Sequence, residues 1–345
     1  MQFALPLRRR GLVLRSEIFL LNGIYGRYSS SEFEPAYLKL CRSGDLAERV
    51  RQAFRHLEKC DLCARYCRIN RLLTIKGAVC RTGEQAVVHS FGPHHGEEDV
   101  LRGWKGSGTI FFSWCNLRCV FCQNWEISHK GMGRMMMPKE IARMMLELQD
   151  RGCHNINLVS PSHVVAPILA AVEIAAREGL RLPLIYNTGG YDSLEALVLL
   201  DGVIDIYMPD MKYGDSSIAR KYSKVPNYVE VNCAAVKEMH RQVGDLTLDR
   251  NGLAQRGLLV RHLILPGNLA GSQRVLDFIA HEISPNTYLN LMDQYRPCYR
   301  ADEYPPLDRQ ITAADYSAVL ELAKGYGLHR LDSVPLALRN ARPAP

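Results

Sequence analysis

Six short apolar runs, each followed by turn residues and then a helix-like segment, restrict the fold of this 345-residue chain more than any other feature. The runs are 109–112, 156–160, 184–187, 203–208, 257–265 and 288–292. Between them Pro138 opens a segment with Ile141, Met144, Met145 and Leu148 on one face, stopped near Gly152. A second, 164–178, ends at Gly179 and presents Val165, Ile168, Leu169 and Val172. Further helices are expected over 193–200, 227–243, 273–283 and 312–326, with Asn227 and Glu230 as a capping box for the second of these. Asn251-Gly252 marks a hairpin inside 246–253. Alternation of this kind builds parallel strands joined by crossover helices, with the helix methionines filling the core.

Strands covered on both faces are apolar inside, so polar residues gathered at their C-terminal ends point to a ligand. The first run delivers Cys115, Cys119 and Cys122, spaced C-x3-C-x2-C. The second ends in Ser160-Pro161-Ser162-His163 and the third in Asn187-Thr188-Gly189-Gly190-Tyr191. The fourth ends in Pro209-Asp210-Met211-Lys212, the fifth carries Arg261 and ends in Pro266-Gly267-Asn268, and the sixth leads to Asp293-Gln294-Tyr295. Asp210 and Lys212 stand two apart, so strand alternation puts both side chains on one face, toward the barrel axis.

Thiolates are the usual ligands of iron–sulfur clusters, and three close cysteines without a fourth leave one iron of a cubane open for chemistry. Structural zinc prefers four ligands, and the next cysteine, Cys153, lies beyond a whole predicted helix. Three unrelated buried thiols are the other alternative.

Upstream, 32–58 reads as a helix with Leu40, Leu46, Val50, Phe54 and Leu57 on its apolar face. Cys60, Cys63, Cys67 and Cys80 then follow in a C-x2-C-x3-C-x12-C arrangement, with glycines beside the last. Four thiols so spaced suit a tetrathiolate site for zinc or for a second iron–sulfur cluster, and a C-x2-C redox pair with two bystanders is the metal-free alternative. His94-His95-Gly96-Glu97-Glu98-Asp99 reads as a solvated loop or as part of the site, since it leads into the first core strand.

Eleven cysteines, an odd number with seven in two metal-like groups, indicate a reducing compartment such as the cytoplasm. No apolar run approaches the roughly 20 residues of a membrane span. Arg8, Arg9, Arg10, Arg15 and Arg27 against Glu17 give residues 1–31 a net +4 of the chain's +7. That start reads as a basic extension or as an organelle transit peptide. No basic stripe interleaves with aromatics, so nucleic acid is not an expected partner.

The chain resembles the radical S-adenosylmethionine (SAM) family, and within it the PflX-type proteins, named for their similarity to pyruvate formate-lyase activating enzymes. The resemblance is carried by the four upstream cysteines, His95-Gly96-Glu97-Glu98, 106–112, Cys119-Val120-Phe121-Cys122-Gln123-Asn124, 187–191, 205–213, 238–244 and 260–267. It implies an α/β fold: an open partial (β/α)6 barrel over 101–332. A helical, cysteine-rich module over 32–100 precedes it, and a tail over 333–345 follows it. It implies a [4Fe-4S] cluster on Cys115, Cys119 and Cys122 whose open iron chelates the amino and carboxylate groups of SAM. Phe121 is then expected near the adenine, and Asp210 and Lys212 match an Asp-x-Lys motif near SAM and substrate. Ser160, Ser162, Asn187 and Arg261 complete the expected SAM contacts. Many relatives carry Gly-Gly-Glu where Ser160-Pro161-Ser162 stands here, so hydroxyls or carbonyls must replace that contact. The implied partners are an electron donor such as flavodoxin or ferredoxin and a protein substrate modified at a backbone glycine. Radical modification of a small molecule or other peptide is the alternative enzyme, and an iron–sulfur or zinc electron-transfer or scaffold protein the non-enzymatic one.

Overall fold

The computed structural model describes residues 33–332; the basic extension 1–31 and the tail 333–345 lie outside them. Two helices, α1 (Tyr37–Ser43) and α2 (Asp45–Arg55), stand where one was expected over 32–58. They part at Gly44, whose φ of 85° is left-handed and ends α1. Leu46 and Leu57 are fully buried as the pattern requires. The cysteine-rich loop follows, then β1 (Ala86–His94), the short α3 (Asp99–Arg102) and β2 (Ser107–Phe112). After the second cysteine loop come α4 (Trp125–Ser128), β3 (Arg134–Met136), α5 (Pro138–Asp150), β4 (Ile156–Val159), α6 (Val165–Arg177), β5 (Leu184–Thr188), α7 (Leu194–Leu200) and β6 (Ile206–Pro209). Next are α8 (Ser216–Ser223), α9 (Tyr228–Val243), β7 (Thr247–Leu248), β8 (Ala254–Leu263), α10 (Ser272–Phe278), β9 (Tyr288–Met292) and α11 (Ala313–Gly325).

Strands β2, β4, β5, β6, β8 and β9 pair in that order, all parallel, which is the expected six-strand series. Their interiors are buried on both faces and largely apolar, with all five residues of β5 and all four of β6 buried, though Thr109 and Asn157 are buried polar exceptions. Helices cover the outside, and α6 is buried nearly all round because α1, α2 and α5 pack on it. No pairing joins β9 to β2 among the described residues, so the arc stays open. The protein is thus an α/β fold with a partial, open parallel sheet.

The sequence pattern misses the antiparallel edge. β1 lies in the stretch expected as a separate module, yet it pairs along β2 from Val88↔Phe112 to His94↔Ser107 and carries β3 on its other side. The hairpin at Asn251-Gly252 is present, with Asp249 Oδ1 accepting from the Asn251 and Leu253 N–H groups. The Asn227–Glu230 capping box is not. Tyr191 donates its hydroxyl to Asn227 Oδ1 at 2.6 Å, and Glu230 accepts from Ser216, so tertiary partners claim both side chains. Among the described residues no helix is long and apolar enough to cross a membrane.

Candidate functional site

The C-terminal ends of the parallel strands surround a cavity of about 340 Å³, within the range of small-molecule sites. Cys115, Cys119 and Cys122 all line it. The loop bearing them leaves β2 through Trp114, whose φ of 68° is unusual for a bulky residue. Leu117 N–H points at Cys115 Sγ at 3.4 Å, Cys119 Sγ lies 2.9 Å from Ser223 Oγ, and Cys122 Sγ lies 3.1 Å from Ser128 Oγ. Burial raises the Cys115 and Cys122 thiols above their ordinary range and pushes Cys119 up to about 12. A metal must therefore displace their protons as it binds.

Ser160, Asn187, Asp210, Lys212 and Arg261 line the same cavity. Ser160 closes β4 with a left-handed φ of 59°, its N–H held by Asn187 O. Lys212 Nζ donates to Asp210 Oδ2 at 2.5 Å. Burial pulls the Lys212 ammonium down, but Asp210 more than offsets this and it stays charged. Arg261 donates to Glu97 and Glu98 and reaches Asn187 Oδ1 at 3.5 Å. Glu98 is almost wholly buried; Arg261 and Asn290 hold it ionised below the ordinary carboxylate range despite that burial. The loop 94–98 therefore belongs to the site: His94, Gly96 and Glu97 line the cavity and Glu98 anchors it.

Two expected contacts do not face this cavity. Ser162 is buried against Thr188 Oγ1 at 2.9 Å, inside a network that Asp192 and Tyr186 complete. Phe121 lies 5% exposed in an apolar cluster, edge-on to Tyr295 with ring centroids 5.9 Å apart. Gln294, expected at the sixth strand end, and Asn124 of the cysteine motif line the cavity, as do Ser128 and His129, which were not singled out because the short α4 gives no periodic signal.

The upstream cysteines gather around one residue the sequence reading passed over. Arg71, only 3% exposed, donates Nε to Thr82 O at 2.7 Å and Nη2 to Gly83 O and His163 O at 2.9 and 2.8 Å. Its Nη1 reaches Cys60 Sγ at 3.4 Å. The two cysteine loops also grip each other. Arg65, between Cys63 and Cys67, donates to Asn116 O at 2.7 Å, while Arg118, between Cys115 and Cys119, donates to Val79 O.

A model of the radical SAM superfamily matches residues 109–250. The chain is 30% identical over 329 residues to an uncharacterized protein of Methanocaldococcus jannaschii, covering 92% of this chain and 90% of that one. Two solved structures share 13% identity with it: SuiB of Streptococcus suis bound to its precursor peptide SuiA (TM-score 0.43), and a radical SAM methyltransferase from Sphaerobacter thermophilus (TM-score 0.45). The matches cover 62% and 66% of this chain, and 44% and 66% of those two, so the chain spans less than two thirds of either. The chain belongs to the radical SAM superfamily. Its cofactors are accordingly a [4Fe-4S] cluster and SAM.

The residues present fit that group. Three thiols, Cys115, Cys119 and Cys122, line the cavity, as a cubane with an open iron requires. A lysine–aspartate pair, an arginine and an asparagine line it with them, suited to a zwitterion with a ribose and an adenine. Among the described residues no three His, Cys, Asp or Glu side chains are arranged to hold a single ion. A cubane instead spreads its ligands over separate iron corners.

Proposed function

We propose that this radical SAM enzyme is of the PflX type and removes a hydrogen atom from a polypeptide substrate, a backbone glycine of a partner protein being the first candidate. The carrying observation is the meeting of Cys115, Cys119 and Cys122 with Asn187, Asp210, Lys212 and Arg261 in one cavity at the mouth of an open strand arc. When bound, the cluster and SAM supply a 5′-deoxyadenosyl radical through one-electron cleavage of the sulfonium, and the chemistry is the cofactors' own.

The chain's residues have positioning work to do. Cys115, Cys119 and Cys122 hold the cluster. Lys212 and Asp210 present paired charges to the zwitterionic end of SAM, and Asn187 and Ser160 offer hydrogen bonds from the neighbouring strand ends. Arg261, held by Glu97 and Glu98, adds a fixed positive charge to the cavity lining. A polypeptide is favoured over a small molecule because the arc does not close beyond β9. His94, Gly96, Glu97 and Gln294, from both ends of the arc, border the cavity, and an extended segment reaching it between them is what this reading favours. A low-potential donor such as flavodoxin or ferredoxin would supply the electron in a reducing compartment, the cytoplasm.

The test is anaerobic reconstitution and reduction by dithionite in the presence of SAM. Wild type is expected to yield 5′-deoxyadenosine, and Cys119→Ala none. With glycine-deuterated peptides, deuterium should appear in the 5′-deoxyadenosine. A fully loaded protein that forms no 5′-deoxyadenosine overturns the reading; cleavage without transfer from any peptide moves the substrate to a small molecule.

A further inference from the structure

We infer that Cys60, Cys63, Cys67 and Cys80 hold a second iron–sulfur cluster, with the Arg71 guanidinium as its buried counter-charge. The inference concerns residues the SAM site does not use and stands independently of the substrate.

The first observation is an uncompensated cation. A buried guanidinium is stable only when an anion pairs with it. Arg71 is 3% exposed, yet among the described residues its partners are three neutral carbonyls and the Cys60 sulfur. No carboxylate pairs with it, and the charges that act on it most are those of Cys80, Cys60 and Cys63. Protonated thiols would leave the arginine alone, whereas a metal–thiolate centre carrying net negative charge satisfies it.

Amide direction is the second observation. Leu62, Arg65 and Ile69 each aim a backbone N–H at the thiol two residues earlier, Cys60, Cys63 and Cys67. Leu117 does the same for Cys115 in the SAM-site loop. Thiols are poor acceptors and thiolates good ones, so these amides suit metal-bound sulfur, the metal displacing the protons that burial holds on Cys63 and that the Cys60 sulfur and burial hold on Cys67. The chain takes up costly geometry in doing so. Tyr66, Arg68 and Arg81, which flank Cys67 and Cys80, are non-glycine residues with φ of 43°, 55° and 47°. The loop is also sealed at its base, where Cys60 N–H donates to Ile69 O and Arg68 N–H to Cys60 O.

Spacing decides between iron–sulfur and zinc. Structural zinc sites draw their ligands from two separated pairs, whereas cluster-binding runs place three cysteines close together and a fourth apart. Here three cysteines fall within 60–67 and the fourth is Cys80. The reciprocal grip of Arg65 and Arg118 then sets this centre beside the SAM-site loop, with Arg118 acting on both Cys115 and Cys80.

The deciding measurement uses the full chain with Cys115, Cys119 and Cys122 all changed to Ala, reconstituted anaerobically with iron and sulfide. About four irons per chain, a paramagnetic signal after dithionite reduction and no bound zinc are expected. Stoichiometric zinc, or no metal at all, overturns the inference. Should the triple variant fail to fold, the wild-type iron count serves: about eight supports two cubanes and about four overturns the second. Arg71→Gln should lower the reduction potential of this cluster alone, because removing a nearby positive charge favours the oxidised form, and Arg71→Lys should restore it in part. A potential unchanged in both refutes the counter-charge role. None of these readouts needs SAM cleavage, so failure here leaves the proposed activity standing, and the reverse also holds.

Discussion

Lys212 and Asp210 stand two residues apart after β6 and face each other across 2.5 Å, with side chains 16% and 19% exposed, in the cavity that the cluster thiols also line. Alternation along an extended strand end is sufficient to bring both to the cavity. The pair is charged, poorly solvated and open to a ligand on one side. Asp210→Asn leaves the ammonium without its partner and should weaken SAM binding by about 1–3 kcal/mol. Iron content should stay at the wild-type value. Titration calorimetry with SAM measures the first and iron analysis the second; equal affinity in both proteins would make the pair an ordinary salt bridge.

Arg261 joins β8 to the loop before α3 by donating to both oxygens of Glu98 at 2.7 Å. Glu98→Gln keeps the shape and removes a buried charge, though Glu97 remains beside the guanidinium. A loss of about 3 kcal/mol in unfolding free energy is expected, read from urea midpoints. A change below about 1 kcal/mol would show that Glu97 alone suffices.

Gly190 and Gly189 should respond differently to alanine. At Gly190 φ is +73°, and a Cβ would meet Asn232 Nδ2 at 2.1 Å and Asp210 O at 2.3 Å. Gly190→Ala should cost about 3 kcal/mol or more and displace Asp210. At Gly189 the obstacle is the end of the Leu117 side chain at 2.8 Å, which can turn aside. Gly189→Ala should therefore fold with a melting midpoint well above that of Gly190→Ala. Equal midpoints would count against the crowding described at Gly190.

The contrast shows what was readable and what was not. The six parallel strands follow from their largely apolar runs, which burial on both faces favours. β1 does not follow, since His89, Ser90, Gly92 and Pro93 break any alternation and only pairing with β2 makes the segment a strand. The thiols, Asn187, Asp210, Lys212 and Arg261 were legible as polar groups at strand ends. Phe121 and Ser162 misled because neighbouring in sequence is not facing the same way: one turns into an apolar cluster and the other into the Thr188–Asp192 network. Arg71 and Ser223 were invisible, being single polar residues whose meaning lies in partners distant in the chain.

Asp205 provides a pH test. Burial pushes its carboxyl up to about 7, even though the N–H groups of Ala36 and Leu184 donate to it at 2.8 and 3.0 Å. A folded value raised above the unfolded one means that the native state holds the proton more tightly. The stabilisation is complete below about pH 4 and is lost as pH rises through about 7. Wild type should accordingly lose about 2–4 kcal/mol relative to Asp205→Asn between pH 5 and pH 8. Urea midpoints of both proteins at the two pH values test this; parallel curves would mean the carboxylate is fully satisfied when ionised.

The crossed grip of Arg65 on Asn116 O and Arg118 on Val79 O has a consequence in time. Synthesis runs from the N-terminus, so residues 60–83 leave the ribosome before 115–122 exist. The Val79 carbonyl and Arg65 are therefore in the chain before their partners Arg118 and Asn116, and loop 60–83 also needs His163 O, made later still, to hold Arg71. Neither half of the grip can close until both loops exist, so the two cysteine sites are bound to take their final shape together.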